Sequence, residues 1–203
     1  MNEANGGRAL IRGSDGVARC WWAGSDPLYQ AYHDREWGRP LNGDDALFEM
    51  LTLEGFQAGL AWITILRKRE AFREAFRGFR IEAVAGFEEG DVQRLLADAR
   101  IVRNRAKIEA AIANARAALR LGDREDRLTR FLWSFAPPPR SGRVASADRI
   151  PAETSESRAL SKALRARGFR FVGPTVVYAF MQAVGMVDDH LAGCEITWWV
   201  SVA

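Results

Sequence analysis

Four metal-binding side chains at the two ends of the chain constrain its fold most strongly. The 203-residue sequence has only two cysteines and two histidines, and they form the pairs Cys20-x12-His33 and His190-x3-Cys194. A lone cysteine is usually a small apolar residue and a lone histidine a hydrogen-bonded one, but the pairing of all four favours a metal site over chance. Two thiolates with two imidazoles match the closed tetrahedral coordination of structural zinc. The sequence therefore predicts a zinc-stapled lobe, in which one ion joins the N-terminal and C-terminal segments.

The predicted ion is structural rather than catalytic. Four protein ligands fill a zinc tetrahedron and leave no position for water or substrate, which argues against a zinc-dependent hydrolase. The two cysteines lie far apart and lack the spacing of a secreted disulfide framework. The sequence has no apolar run of about 18 residues and no signal-peptide core near its start. It predicts a cytoplasmic protein without a membrane span, and nothing in it requires more than a monomer.

Short amphipathic helices broken by glycine and aspartate dominate the pattern, and strand signals are almost absent. The 48% apolar fraction with seven prolines indicates a compact globule, and the predicted fold class is all-α. The predicted helices are one that Asp44 caps and whose apolar positions continue to Ala58 and Trp62, one that Asp91 caps through Ala99, one from Asn104 to Gly122, one through Phe135 that Pro137 stops, one that Thr154 or Ser155 caps through Arg167, and one from Pro174 to Gly185.

The basic residues are unevenly distributed, although a net charge of +3 is too small to establish a nucleic-acid partner. Between Ser157 and Pro174 there are five cations and no carboxylate. This segment leads into Phe171-Val172-Gly173-Pro174-Thr175, where glycine permits a tight turn and proline suits the first position of a helix. The backbone N–H groups of such a turn form a phosphate site, as in helix–hairpin–helix elements that bind one DNA strand. A solvated helix face and a generic αα-hairpin are the alternatives.

Glu54 is a candidate functional carboxylate. It lies seven and three residues after Leu47 and Leu51 and four before Ala58, so a continuous helix places it on their inward face. Burial of an unpaired carboxylate costs several kcal/mol or raises its pKa, which makes such positions functional candidates. An ion pair with an arginine, or a helix that breaks at Gly55 and turns Glu54 outward, would explain the pattern equally well.

Aromatic residues are concentrated in the same third of the chain. They are the usual content of a core, but a pocket for a flat, electron-poor heterocycle uses the same rings for stacking and cation–π contacts, together with one carboxylate. Glu54 and Trp62 have the required chemistry. The cluster comprises Trp21, Trp22, Tyr29, Tyr32, Trp37, Phe56 and Trp62.

Six segments together match a known pattern. They are Cys20-Trp21-Trp22, Asp26-Pro27-Leu28-Tyr29-x-x-Tyr32-His33-Asp34-x-Glu36-Trp37-Gly38, Leu53-Glu54-Gly55-x-Gln57-Ala58-Gly59-Leu60-x-Trp62, Gly168-Phe169-x-Phe171-Val172-Gly173, Phe180-Met181-Gln182-Ala183, and Asp189-His190 with Cys194. This set resembles the 3-methyladenine DNA glycosylase I family of the helix–hairpin–helix superfamily. The resemblance implies a flexible N-terminal extension at residues 1–19, one glycosylase domain at residues 20–194 and a C-terminal tail at residues 195–203.

The resemblance also implies an activity and a set of site residues. The activity is hydrolysis of the N-glycosidic bond of 3-methyladenine in double-stranded DNA, a step of base excision repair, on a helix–hairpin–helix bundle. By position, Cys20, His33, His190 and Cys194 hold the zinc, Glu54 recognises the base, Tyr32 and Trp62 contact the flipped base, Trp22, Tyr29 and Trp37 complete the pocket, Leu60 fills the gap left in the duplex, and Arg170, Val172, Gly173 and Thr175 bind DNA phosphates.

Two further positions bear on mechanism. Asp188 lies where the wider superfamily has a catalytic aspartate, so it is a candidate to stabilise the sugar cation or orient water, with a loop or capping role as the alternative. Thr175 stands where lyase members carry a Schiff-base lysine, which implies a monofunctional enzyme that leaves an abasic site. The competing function is a non-catalytic, zinc-stapled helix–hairpin–helix DNA-binding module. Glu54 and its aromatic neighbours favour the enzyme, because phosphate binding alone does not require them.

Overall fold

Helices make up most of the structure, as the sequence predicts. The computed structural model describes residues 10–197. Short 3-10 turns at Trp21–Ala23, Arg77–Phe79 and Ala147–Arg149 join some of the elements. The strands and α-helices, in chain order, are β1 (Leu10–Arg12), β2 (Ala18–Cys20), α1 (Pro27–Arg35), α2 (Asp44–Gln57), α3 (Trp62–Ala75), α4 (Ile81–Ala85), α5 (Glu89–Ala97), α6 (Arg105–Leu119), α7 (Arg127–Trp133), α8 (Ser155–Ala166) and α9 (Pro174–Ala183).

The predicted start signals of the last long helices are confirmed. The side chain of Asn104 accepts a hydrogen bond from the backbone N–H of Lys107 at the start of α6. The Thr154 side chain accepts from the N–H of Ser157 at the start of α8. Pro174 occupies the first position of α9. These residues satisfy or remove backbone donors that a helix leaves unpaired in its first turn.

The helix containing Glu54 differs from its predicted length. The apolar spacing predicts a helix that continues to Trp62, but α2 ends at Gln57 and Trp62 begins α3. Gly59 adopts a φ of +83°, a left-handed conformation that breaks the helix between them. The prediction is wrong here because the apolar residues of two consecutive helices happen to keep one spacing.

Two predicted caps are also wrong in their details. Asp44 is the first residue of α2, and its carboxylate accepts from the N–H groups of Leu128 and Thr129, at 3.0 and 2.8 Å, so it caps α7 instead. Asp91 lies inside α5, where it forms a capping box with Glu88. Both acidic residues stabilise a helix start, but Asp44 acts on α7 rather than on α2, and Asp91 acts on α5 from inside its first turn rather than as the N-cap residue.

Helix α2 passes through the centre of the core and is buried on all sides from Leu47 to Phe56, apart from Glu49. It packs against α3, α7 and α9, and a group of phenylalanines surrounds its far end. A helix that is buried all round keeps any polar residue on it away from water. This placement, more than the local sequence, desolvates Glu54.

The two ends of the described chain meet. Strands β1 and β2 form an antiparallel ribbon, and the N–H of Glu195 donates to the carbonyl of Ala18 at 2.9 Å. Cys20, Leu191 and Cys194 form a small buried cluster beside the ribbon. The predicted boundary at residue 20 therefore falls within an ordered ribbon formed by residues 10–20. Residues 1–9 and 198–203 lie outside the described residues, and the division into extension, domain and tail stays a prediction.

None of the helices within residues 10–197 has the length and apolarity needed to cross a membrane.

Candidate functional site

A cavity of about 260 Å³ lies between α1, α2 and α9. Most of the aromatic residues singled out in the sequence surround it, together with Glu54. Four further residues line the cavity, and none of them has a predicted role in a pocket. The lining residues already noted in the sequence are Glu54, the predicted pocket residues Trp22, Tyr29, Tyr32, Trp37 and Trp62, and Trp21 of the aromatic cluster, and the additional ones are Gln57, Ile150, Ala179 and Gln182. Phe56 and Leu60 do not line this cavity.

Glu54 lies at the wall of this pocket with 5% of its surface exposed. Its Oε2 atom is buried, and no donor in the described part of the chain bonds it. Helix α2 continues past Gly55, so the alternative in which the helix breaks there and turns Glu54 outward does not hold, and no arginine pairs with it within residues 10–197. Burial raises the pKa of Glu54 to about 8, because the charged form loses the hydration that the neutral form does not need.

The aromatic rings form two connected walls. Trp22 contacts Tyr29 and Trp37 with ring centroids 5.1 and 4.8 Å apart. Tyr32 packs against Trp62 at 5.4 Å. Burial, with the nearby carboxyl of Glu54, raises the pKa of Tyr32 well above its usual value, so its hydroxyl remains protonated. The indole Nε1 of Trp62 is buried with no acceptor among residues 10–197. The pocket thus has an unmatched acceptor on Glu54 and an unmatched donor on Trp62.

The segment that follows α2 carries Leu60, which is 40% exposed. The end of α2 is fixed by Lys107, whose buried Nζ donates to the carbonyls of Phe56 and Ala58 at 2.8 and 2.6 Å. These carbonyls belong to the last turn of the helix, where backbone acceptors have no partner within it. Sequence analysis missed Lys107 because a lysine on an amphipathic helix normally lies at the surface.

Three of the four predicted metal ligands form a compact group. The ligand atoms of Cys20, His33 and Cys194 all lie within 4.8 Å of one another, and all three residues are buried. Their spacing and chemistry allow them to hold a metal ion. His190 lies next to this group, with its ring centroid 5.0 Å from that of His33.

Each histidine at this group is oriented by a carboxylate. Asp34 Oδ1 lies 2.8 Å from Nδ1 of His33, and Asp188 Oδ1 lies 2.8 Å from Nδ1 of His190. The opposite ring nitrogen of His190, Nε2, is buried without a hydrogen-bond partner in the described chain. A carboxylate on one imidazole nitrogen is the usual way in which a metal-ligating histidine is held.

The pocket and the metal-ligand group share a wall. Trp37 lines the pocket, and its ring lies 4.6 Å from that of His190 and 6.2 Å from that of His33. Trp22 contacts His33 edge-on, with ring centroids 5.0 Å apart. The position of these indoles therefore depends on the histidines behind them.

Asp188 is not brought into the pocket with Glu54. It lines a separate cavity next to Arg143, and its Oδ2 accepts from Nε of Arg143 at 2.9 Å. Arg143 also donates to the carbonyls of Cys194 and Ile196, at 3.0 and 2.7 Å. These contacts hold the C-terminal segment in place and favour the supporting role for Asp188 over the catalytic one.

The predicted hairpin joins α8 to α9, and side chains of α6 and α8 hold its backbone in place. The Asn114 side chain of α6 donates to the carbonyl of Arg170 and accepts from its N–H, at 3.0 and 2.7 Å. The Ser161 hydroxyl donates to the carbonyl of Val172 at 2.6 Å. The N–H groups of Val172, Gly173 and Thr175 have no acceptor within residues 10–197. The turn is thus held in place by side chains, and several of its N–H groups have no acceptor in the described part of the chain.

Comparisons with known proteins agree on one family. The family model for methyladenine glycosylase matches residues 22–197. The chain is 51% identical to DNA-3-methyladenine glycosylase 1 of Escherichia coli (strain K12) over 179 residues, which cover 88% of this chain and 96% of the relative. A crystal structure of 3-methyladenine DNA glycosylase I matches with a TM-score of 0.84 and 50% identity, covering 87% of this chain and 98% of that one. A Staphylococcus aureus structure that describes 3-methyladenine recognition matches with a TM-score of 0.84 and 37% identity, covering 89% and 97%.

Burial of Glu54 predicts a stability that depends on pH. Between its ordinary pKa near 4.5 and its folded value near 8, the folded protein keeps a proton that the unfolded chain loses, so stability falls as the pH rises through this window. The glutamine side chain of Glu54→Gln carries no charge at any pH in this window. We expect its free energy of unfolding to exceed that of the wild type by about 2 to 5 kcal/mol at pH 8, and the difference to vanish toward pH 4.5.

Chemical denaturation at pH 4.5, 6 and 8 measures this difference. Glu70→Gln is the matched control, because the Glu70 side chain is 77% exposed and its pairing with Arg73 lies at the surface. A Glu54→Gln difference that is the same at all three pH values would contradict the desolvation of Glu54.

Proposed function

The chain belongs to the methyladenine glycosylase family, and we propose that it excises 3-methyladenine from DNA in the pocket around Glu54. The observation that carries this assignment is a buried carboxyl group on the wall of an aromatic pocket, with no hydrogen-bond or ion-pair partner among the described residues. Such a group is costly to fold unless a ligand uses it. A purine has the flat shape and the hydrogen-bond donors to do so.

Recognition depends on the charge of the lesion. Methylation at N3 leaves adenine positively charged while it is attached to DNA, whereas unmodified adenine is neutral. A cation next to Glu54 favours its ionised form and recovers the desolvation cost, and the rings of Tyr32 and Trp62 supply stacking. Flipping a base out of the duplex costs a few kcal/mol, so these contacts select the methylated base from a large excess of normal ones.

Hydrolysis needs little additional activation. The positive charge weakens the glycosidic bond, and the base leaves as a neutral molecule while the sugar develops oxocarbenium character. Water then attacks the sugar carbon. Thr175 occupies the position at which a lyase would have an amine, so no Schiff base forms and the product is an abasic site. Leu60, exposed on the segment between α2 and α3, has the size and position to fill the gap in the duplex.

The excision assignment predicts the behaviour of Glu54→Gln. The purified wild type should release free 3-methyladenine from methylated DNA, and the variant should do so about 10- to 100-fold more slowly, because a charge-assisted hydrogen bond contributes about 1.5 to 3 kcal/mol. Single-turnover release measured by chromatography tests this, with Glu70→Gln as the control of unchanged rate. If well-folded wild type binds methylated DNA but releases no base, the chain is the non-catalytic DNA-binding module instead.

Cys20, His33, His190 and Cys194 form a donor set that fits a structural zinc ion. Their fit rests on two buried thiols, on the unpartnered Nε2 of His190, and on the carboxylates that orient both histidines from behind. When bound, the ion joins the two ends of the chain and stabilises the fold. In this proposal Asp188 is a positioning residue that holds His190.

Removal of the ion should first cost stability. Purified protein should contain about one zinc per chain by elemental analysis, and a strong chelator should lower the melting temperature by 10 °C or more. His190→Ala should retain less zinc, whereas Gln93→Ala on the surface of α5 should retain it all. A zinc-free protein with an unchanged melting temperature would contradict the proposal.

The hairpin between α8 and α9 supports duplex binding through phosphates. In this proposal the N–H groups of Val172, Gly173 and Thr175, which lack an acceptor within residues 10–197, bind a phosphate, and Arg170 adds an exposed cation. These contacts do not read sequence, so they position the duplex while the pocket selects the base.

Removing the Arg170 side chain should weaken binding to all duplexes alike. We expect Arg170→Ala to lower affinity for damaged and undamaged DNA by the same factor and to reduce the slope of log affinity against log salt by about one. Arg100→Ala is the control, because Arg100 already pairs with Asp98 and Glu74. Fluorescence anisotropy at several salt concentrations measures both. An Arg170→Ala salt slope equal to that of the wild type would exclude the phosphate contact.

A further inference from the structure

We infer that Gln182, oriented by Asp189, selects the 6-amino group of the bound base and so rejects 6-oxo purines. This inference rests on the proposed function of the pocket and assigns to α9 a specificity role within it. Gln182 lines the pocket together with Glu54, although it reaches the pocket from a different helix.

The orientation of the Gln182 amide is fixed by its neighbour. Its Nε2 donates to Oδ2 of Asp189 at 2.8 Å, and that oxygen also accepts from the hydroxyl of Tyr178 at 2.6 Å. Asp189 Oδ1 accepts from Nη1 of Arg140 at 2.5 Å. Since the carboxylate only accepts in this network, the NH₂ side of the amide must face Asp189.

The carbonyl side of the amide is therefore left for the pocket. Within residues 10–197 the side chain of Gln182 makes one hydrogen bond, from Nε2 to Asp189, which leaves Oε1 unbonded, and the residue is half-buried. Asp189 itself is 1% exposed, so the carboxylate that holds the amide is shielded from water and from competing donors. Both of its oxygens accept hydrogen bonds, and a buried carboxylate that is satisfied in this way keeps one arrangement.

The pocket is therefore lined by two side chains that can accept a hydrogen bond from a ligand, those of Glu54 and Gln182. Adenine has an amino group at position 6, which donates, whereas guanine and hypoxanthine have an oxygen there, which accepts. A 6-oxo purine would place its oxygen against Gln182 Oε1. Two acceptors would then face each other, and neither oxygen would receive a hydrogen bond. Sites that are built to bond a particular N–H discriminate strongly against an analogue that lacks it.

Free bases test the inference without the chemical step. Binding of 3-methyladenine and of 3-methylhypoxanthine, which has an oxygen at position 6, is measured by quenching of the pocket tryptophans. We expect the wild type to prefer 3-methyladenine by at least tenfold and Gln182→Met, which has similar length and no acceptor carbonyl, to lose most of this preference. Gln93→Met is the matched control, because Gln93 lies on α5 and bonds Glu89.

The role of Asp189 as a positioning residue has its own variant. Asp189→Asn introduces a donor that can hold the carbonyl of Gln182 and turn its NH₂ toward the pocket, so the preference should fall or reverse while binding of one base persists. Melting temperature and zinc content report whether Asp189→Asn is folded. If it is not, the base preference of Gln182→Met still tests the inference. An unchanged preference in Gln182→Met would overturn the inference, whereas failure of the wild type to bind either base would overturn the proposed function of the pocket.

Discussion

Desolvation of one carboxyl group is the constraint on which the rest of the site depends. Glu54 lies on a helix that the core surrounds, its neighbours are aromatic, and no arginine of the described chain neutralises it. In water a carboxylate does not distinguish one cation from another, because hydration competes with every partner. In this pocket the hydration has been removed in advance, so the charge of the ligand itself decides whether Glu54 ionises. Such a group selects a cationic base, whose glycosidic bond is weakened by its charge.

The pocket depends in turn on the joining of the two chain ends. Trp37 stands between the pocket and the histidines of the metal-ligand group, and Asp189 connects the segment of His190 to Gln182 on the pocket wall. The same short C-terminal segment thus supports an indole and orients an amide. This arrangement explains why residues from positions as distant as 22 and 182 can keep fixed positions around one ligand.

The residues that carry the chemistry of the site could be predicted from the sequence more completely than the contacts that position them. The four soft ligands, Glu54 and the aromatic residues could be found because each is a rare or costly residue type in its position. The roles of Gln182 and Lys107 could not, although Gln182 belongs to a segment that carries the resemblance, since a glutamine or a lysine on a helix is ordinarily a surface residue and only tertiary packing places it elsewhere. The break after Gln57 was missed because Leu47, Leu51 and Trp62 keep a helical spacing across it, and only the left-handed Gly59 interrupts the backbone. Tertiary packing decides these points.

The pKa of Glu54 in the free protein is the most direct test of base selection by a desolvated carboxyl group. Its side-chain carboxyl carbon can be followed by NMR titration in protein labelled at glutamate, with Glu54→Gln used to assign the resonance. We expect a titration near pH 8, because burial with no counter-ion among residues 10–197 penalises the charged form. A titration near 4.5, the ordinary value for glutamate, would mean that Glu54 is hydrated or paired in solution, and it would contradict the claim that the pocket selects its base through a desolvated carboxyl group.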